Sequence, residues 1–153
     1  IGAGAGFFSL LAAERVGRTG KVLAVDVQPE MIDGLEMMMK RFGHENIVPI
    51  LGDVDDPKLP VNSVDHVLIV ISYHEFSHPV EMMSHIRKAM KRDGQLLIVE
   101  YKAETLNSRV EPLHKMSEAE IMREITALGF ALDRVIDIIA SQHVFIFKKT
   151  VAD

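Results

Sequence analysis

The sequence opens on the stretch Ile1–Phe8, IGAGAGFF, in which glycines occupy the alternate positions Gly2, Gly4 and Gly6. The stretch lies where an apolar strand is expected to end and a helix to begin. Because glycine lacks a Cβ, it permits a tight turn and lets a ligand lie against the backbone. The following helix presents unpaired N–H groups and the positive end of its dipole. The stretch therefore predicts a cradle for a polar or anionic group, although short apolar turns without a ligand use glycine too.

The composition predicts a single domain, residues 1–153, with a hydrophobic core. The net charge is −5, with acids and bases interspersed, which disfavours a nucleic-acid-binding surface. The absence of cysteine excludes disulfides, thiolate metal sites and a cysteine nucleophile, and favours a cytoplasmic protein. No apolar run is long enough to span a membrane. Nothing in the sequence indicates an oligomeric state.

Hydrophobic periodicity predicts alternating strands and helices. We expect helices from Phe7 to about Gly17, from Pro29 to Gly43, from Pro79 to Gly94 and from Ser117 to Gly129. We expect strands at 21–26, 46–51, 63–72, 95–101, about 130–139 and 143–149, the last two as an antiparallel hairpin. Such alternation predicts an α/β fold with a parallel sheet and helices on both faces.

Polar residues follow several strands at their carboxyl ends, where open α/β sheets bind ligands. Asp26 lies about twenty residues after the glycines, the offset at which an acid meets the two hydroxyls of a ribose. Asp53 could accept a hydrogen bond from the exocyclic amino group of a purine. The run Ser72–Glu75 follows the next strand. These positions predict a nucleotide-type cofactor.

A dinucleotide is one candidate for this cofactor, but its sequence fingerprint does not match the glycines of this chain. The dinucleotide fingerprint G-x-G-x-x-G would place its third glycine at position 7, which is Phe7, whereas the chain has G-x-G-x-G. The chain also ends in an antiparallel hairpin instead of another parallel half. An NAD-binding oxidoreductase remains an alternative, as does a non-catalytic module that keeps the fold for partner contacts.

The chain resembles the class I S-adenosylmethionine-dependent methyltransferases of the small-molecule type, and is similar to the quinone-biosynthesis group. The matching motifs, in family order, are 1–6, 25–27 with Met31, 52–54, 59–60 with 63–65, and 91–96. The resemblance implies a Rossmann-like doubly wound sheet of order 3-2-1-4-5-7-6 with strand 7 antiparallel. Strand 1 in this count precedes Gly2 and is mostly missing, so we expect a fragment that lacks its N-terminal strand and lid.

The resemblance also implies that the cofactor is S-adenosyl-L-methionine. The glycine turn would meet its amino-acid part, Asp26 its ribose and Asp53 its adenine amino group, while Val27, Met31 and Val54 would flank the adenine ring. The residues that we expect to bind it are Gly2, Ala3, Gly4, Gly6, Asp26, Val27, Met31, Asp53, Val54, Ile71 and Ser72.

The expected function is methyl transfer to an oxygen or carbon atom of a small molecule. Such an acceptor loses a proton, and the residues after the strand predicted at 63–72, which is strand 4 of the family order, could take it. His74 is the first candidate, because an imidazole titrates near neutrality, and Glu75 is the second. His74 could instead only pack or cap. The run 72–75, SYHE, lacks the asparagine-proline-proline-aromatic signature of amino-group methyltransferases, which disfavours a nucleic-acid base as acceptor.

The run His74–His78, HEFSH, matches the zinc-protease motif H-E-x-x-H, which works only inside a helix. The preceding run 67–71 is typical of a strand, and Pro79 would break a helix already in progress. The remaining candidates His66, His85, His114 and His143 are scattered along the chain. We therefore predict no metal site.

Overall fold

A computed structural model describes residues 1–105 and 109–150. The chain divides into two compact units, Ile1–Leu59 and Pro60–Asp153. The first unit contains α1 (Phe7–Val16), β1 (Val22–Asp26), α2 (Pro29–Phe42) and β2 (Ile47–Leu51). The second contains β3 (Val64–Val70), α3 (Pro79–Ala89), β4 (Met90–Lys102), β5 (Lys115–Met116), α4 (Glu118–Ala127), β6 (Phe130–Val135) and β7 (Gln142–Lys149).

In the first unit, β1 and β2 form a parallel pair. Asp26 stands opposite Leu51 in the register, so the carboxyl ends of the two strands lie side by side. The side-chain amide of Asn46 donates to the carbonyls of Ala13 and Gly17, both at 2.9 Å, and so ties the end of α1 to the start of β2. The core beneath consists of Ala13, Ala24, Leu35 and Ile47. This packing fixes the two strand ends that carry the predicted cofactor residues.

In the second unit, the sheet has the order β3-β4-β7-β6, and β5 pairs with β4. β3 lies parallel to β4, whereas β7 runs antiparallel to both β4 and β6. Strands 2 and 3 of the predicted order are β1 and β2, and strands 4, 5, 7 and 6 are β3, β4, β7 and β6. The α/β fold class and the antiparallel strand 7 are therefore confirmed.

The prediction that the third helix continues to Gly94 is wrong. α3 ends at Ala89, and the chain passes directly into β4. Val64 pairs with Met90 and His66 with Gln95, so β4 bulges opposite β3. A Cβ on Gly94 would lie 3.1 Å from the carbonyl oxygen of Lys91, so this glycine packs inside the bulge and caps no helix.

The terminal hairpin is confirmed, but its first strand is shorter than predicted. β6 ends at Val135 instead of Ile139. The amide of Ile136 still donates to the carbonyl of Val144 at 2.9 Å, after which the chain leaves the ladder. β6 lies at the edge of its sheet, and only Phe130 of its six residues is buried.

Candidate functional site

The glycine turn is held against the end of β1 by two hydrogen bonds. The amide of Ala3 donates to the carbonyl of Val25 at 2.9 Å, and the amide of Gly4 donates to Asp26 Oδ2 at 2.8 Å. Gly4 has φ of +53°, and no heavy atom lies within 4 Å of the position that a Cβ would take. The backbone here is therefore open to an approaching ligand. A Cβ on Gly6 would instead lie 2.5 Å from Leu35 Cδ1, so Gly6 serves the packing of α1 against α2.

Asp26 is buried, with 7% of its surface exposed. Its carboxylate accepts hydrogen bonds from two backbone amides. Besides the bond from Gly4, Oδ1 accepts the amide of Gln28 at 3.0 Å. A carboxylate offers about four acceptor positions, so these two bonds leave capacity for a ribose diol. The sequence pattern predicts that Asp26 binds a ligand, and it gave no signal that Asp26 also braces the turn.

Of the residues predicted to lie on the adenine side, Asp53, Val27 and Val54 are exposed, whereas Met31 is half-buried. Asp53 is exposed and forms an ion pair with Lys58, with Oδ2 and Nζ 2.8 Å apart. This hydrogen bond and the charge of Asp53 raise the pKa of Lys58. Val27 and Val54 are exposed large apolar side chains, at 43% and 51%. Exposed valines and an exposed carboxylate suit the face and the amino group of an adenine, so this unit fits S-adenosylmethionine.

In the second unit, β3 leads into a strained turn. Ile71 has φ of +50°, which a β-branched residue rarely adopts, and its amide donates to the carbonyl of Val99 at 2.7 Å. A buried Ser72 and a 3₁₀ turn over Tyr73–Glu75 follow. Strain of this kind persists where the surrounding structure enforces it, which is common at functional sites.

Glu100 is the residue that organises this turn, and the sequence analysis did not single it out. It lies on β4 and is fully buried. Its Oε1 accepts the amide of Tyr73 at 2.8 Å, and its Oε2 lies 2.8 Å from His74 Nδ1. The signal was available: Glu100 continues the inward alternation of Leu96 and Ile98, a position where an apolar residue is expected.

The contact with Glu100 bears on the tautomer of His74. A hydrogen bond to an ionised Glu100 carboxylate, which can only accept, requires the hydrogen on His74 Nδ1 and leaves the lone pair of a neutral ring on Nε2. The His74 side chain is 6% exposed. His74 therefore has Nδ1 committed to Glu100, and Nε2 is its second polar atom.

His114 lies beside Nε2 of His74, contrary to the interpretation that the remaining histidines are scattered. It follows β4 in a 3₁₀ turn, Pro112–His114, and its Nδ1 is 3.1 Å from His74 Nε2. Glu75 Oε1 lies 3.9 Å from the same nitrogen. Forty residues separate the two histidines in sequence, so only the topology brings them together.

Two further groups of this turn have other roles. The hydroxyl of Tyr73 donates to Glu124 Oε2 at 3.1 Å. Burial and the adjacent Glu124 charge raise the pKa of Tyr73 well above its ordinary value, so its phenol stays protonated.

His78 stands just before α3 and contacts Ser77 Oγ at 3.0 Å. The run 74–78 is not a helix, as predicted, and lacks the zinc-protease geometry.

The comparisons with known proteins agree with this fold. Residues 1–145 match a family described as a methyltransferase domain, and the chain belongs to that family. A solved structure of an S-adenosylmethionine-dependent methyltransferase from Aquifex aeolicus is similar to it, with a TM-score of 0.90 and 27% identity. The match covers 95% of this chain and 78% of that one. The chain is thus a class I S-adenosylmethionine-dependent methyltransferase domain, as the sequence motifs predict.

Curated relatives match over only part of their length. The chain is 34% identical over 53 residues to protein-L-isoaspartate O-methyltransferase 2 of Archaeoglobus fulgidus, covering 35% of this chain and 24% of that protein. It is 27% identical over 106 residues to the ubiquinone/menaquinone biosynthesis C-methyltransferase UbiE of Pseudomonas putida, covering 69% and 41%. The chain therefore spans less than half of these two relatives.

Among residues 1–105 and 109–150, no helix combines the length and the apolar character that crossing a bilayer requires.

Proposed function

We propose that this chain transfers a methyl group from S-adenosylmethionine to an oxygen or acidic carbon of a small molecule, with His74 as the base. The observation that carries the assignment of the base is the 2.8 Å contact between His74 Nδ1 and the buried Glu100. This contact leaves Nε2 as the proton-accepting atom. Related methyltransferases include an O-methyltransferase and a C-methyltransferase, which agrees with either acceptor atom.

In the first unit, the cofactor residues of the proposal are those of the sequence analysis. Their support in the first unit is the open backbone at Gly4, the spare acceptor capacity of Asp26 and the exposed Val27 and Val54. The glycine turn would hold the amino-acid part, Asp26 the ribose hydroxyls, and Asp53 the adenine amino group.

The proposed reaction is an in-line displacement at the methyl carbon. When bound, S-adenosylmethionine would supply a methyl group activated by its sulfonium, with S-adenosylhomocysteine as the neutral leaving group. The acceptor forms one bond to carbon and loses one proton, which His74 Nε2 takes. Glu100 stabilises the resulting imidazolium through the hydrogen bond at Nδ1. Positioning the acceptor in line with the methyl group contributes much of the remaining acceleration.

His114 and Glu75 complete the proposal. His114 is exposed, and its Nδ1 faces His74 Nε2, so an incoming acceptor would displace it from that nitrogen. Glu75 is 61% exposed and lies close enough to take the proton from a differently placed acceptor, as the second candidate base.

The cofactor assignment is tested by calorimetric titration with S-adenosylhomocysteine, with NAD as the control. We expect binding of S-adenosylhomocysteine alone. Binding of NAD in its place would overturn the cofactor assignment and favour the oxidoreductase alternative. Binding of neither ligand would favour the non-catalytic module and contradict the proposed methyl transfer.

The base assignment is tested with His74→Ala in a labelled-methyl assay on a panel of small phenols, quinols and carboxylic acids. We expect turnover to fall by about 10²-fold or more, as for other general bases, and S-adenosylhomocysteine affinity to change far less. The exposed His66→Ala is the matched control. Equal turnover in His74→Ala and the parent protein would remove His74 from the mechanism.

A further inference from the structure

We propose that His74, Glu75 and His114 form a binding site for one Zn²⁺ ion, a function additional to methyl transfer. We call these three residues the His-Glu-His cluster. One ligand atom of each lies within 4.8 Å of the corresponding atoms of the other two. His74 Nε2 is 3.1 Å from His114 Nδ1 and 3.9 Å from Glu75 Oε1.

These separations are close to those of a tetrahedral zinc site. With zinc–nitrogen bonds of about 2.0–2.1 Å, two ligands at a tetrahedral angle stand about 3.3 Å apart. The two imidazole nitrogens already lie near this distance. The Glu75 carboxylate is somewhat farther away, and its side chain is mostly exposed, so a side-chain rotation can bring an oxygen closer.

Glu100 supplies the outer partner that such a site needs. A histidine that binds zinc usually donates its other ring N–H to a carboxylate, which fixes the ring and makes the binding nitrogen more basic. His74 Nδ1 has this partner at 2.8 Å, in a residue that is fully buried. The lone pair of Nε2 is thereby directed toward the cluster before any ion arrives.

The ligand types select the class of metal. Two imidazoles and one carboxylate suit a divalent transition metal, of which Zn²⁺ is the one we propose, whereas Mg²⁺ and Ca²⁺ prefer oxygen ligands throughout. Three protein ligands leave a fourth position for water or an acceptor oxygen. The cluster differs from the H-E-x-x-H motif, because it uses His114 in place of His78.

Zinc and a proton would use the same lone pair of His74. If His74 is the base, as the proposed function holds, the zinc-loaded protein has no free base at that atom. Saturating Zn²⁺ should then lower methyl transfer without changing the affinity for S-adenosylhomocysteine. Unchanged transfer in the zinc-loaded protein would contradict the role of His74 as base and leave the zinc site intact.

The zinc site itself is tested without cofactor, by titrating metal-free protein with Zn²⁺ against a chromophoric chelator. We expect one equivalent to bind to the parent protein. His114→Ala should lower the affinity by about tenfold or more, and Glu100→Gln, with its fold checked by circular dichroism, by about 10- to 100-fold. His78→Ala is the matched control and should bind as the parent does. Absence of stoichiometric binding, or equal losses in His114→Ala and His78→Ala, would overturn the proposal.

Discussion

Asp26 braces the glycine turn and is also proposed to bind the ribose. Its carboxylate ends β1 and accepts the amides of Gly4 and Gln28, so it holds the turn that is proposed to cradle the cofactor. The same carboxylate retains positions for the ribose hydroxyls. Loss of this side chain should therefore remove ligand contacts and loosen the turn together.

We expect Asp26→Ala to weaken S-adenosylhomocysteine binding by about tenfold or more, because hydrogen bonds to a charged group are worth about 1.5–3 kcal/mol each. Calorimetric titration measures the affinity, and urea unfolding checks that the protein is folded at the assay temperature. Asp33→Ala removes the same charge from an exposed position on α2 and should bind normally. Equal affinities in the two variants would contradict the assignment of Asp26.

A comparison of Gly4 with Gly43 distinguishes the loss of a ligand contact from the effect of backbone strain. Both have positive φ, +53° and +71°, and at neither residue does a heavy atom lie within 4 Å of the position that a Cβ would take. Alanine at either site should cost a similar amount of stability, about 1 kcal/mol, because both need the left-handed conformation. We expect only Gly4→Ala to lose affinity for S-adenosylhomocysteine, by about tenfold, since its methyl would occupy the cradle. If both variants lost affinity for S-adenosylhomocysteine to the same extent, or if neither lost any, the backbone at Gly4 would not be a ligand contact.

At the scale of elements, local signals predicted helix starts better than they predicted the end of α3. Pro29 and Pro79 begin α2 and α3 as expected. The end of α3 was misplaced because Lys91, Arg92 and Gly94 look like a helix terminus, whereas pairing with β3 draws residues 90–94 into the sheet. A tertiary interaction decided the outcome there, and no local pattern encodes it.

The capping box at the start of α4 is the most complete local signal in the chain. Ser117 Oγ accepts the amide of Glu120 at 3.2 Å, and Glu120 Oε2 accepts the amide of Ser117 at 2.9 Å. We expect Ser117→Ala to lower the free energy of unfolding by about 1 kcal/mol, measured in urea. A change no larger than that of the exposed Ala119→Ser on the same helix would contradict this role.

The stabilisation that this capping box gives should depend on pH. Bonds from the amide and hydroxyl of Ser117 lower the pKa of Glu120 below its ordinary value of 4.5. The stabilisation is therefore present above the unfolded pKa and is lost as the pH falls through the lower folded pKa. The stability difference between the parent protein and Glu120→Gln should be larger near pH 7 than at about pH 3. An equal difference at both pH values would show that the charge of Glu120 is not involved.

At the scale of the whole molecule, the order of strands and the cofactor class were predictable, but the chemistry of the second unit was not. The glycine turn and Asp26 lie about twenty residues apart, so their spacing in the sequence was enough to propose them together. Glu100 and His114 meet His74 across 26 and 40 residues. Only the pairing of β3 with β4, and the return of the chain after β4, bring these three side chains together.

The charge of the whole molecule bears on the acceptor. The net charge is −5, and several lysines that could contact phosphates are already paired with acids, among them Lys58 with Asp53, Lys91 with Asp65 and Lys148 with Asp133. Binding to a nucleic acid requires clustered free cations that release counterions. We therefore expect neither transfer RNA nor duplex DNA to be retarded by the protein at low salt in a gel-shift assay, with a basic protein as the positive control. Retardation that weakens steeply as salt is added would contradict a small-molecule acceptor, because it would reveal a phosphate-binding surface that the charge pattern does not indicate.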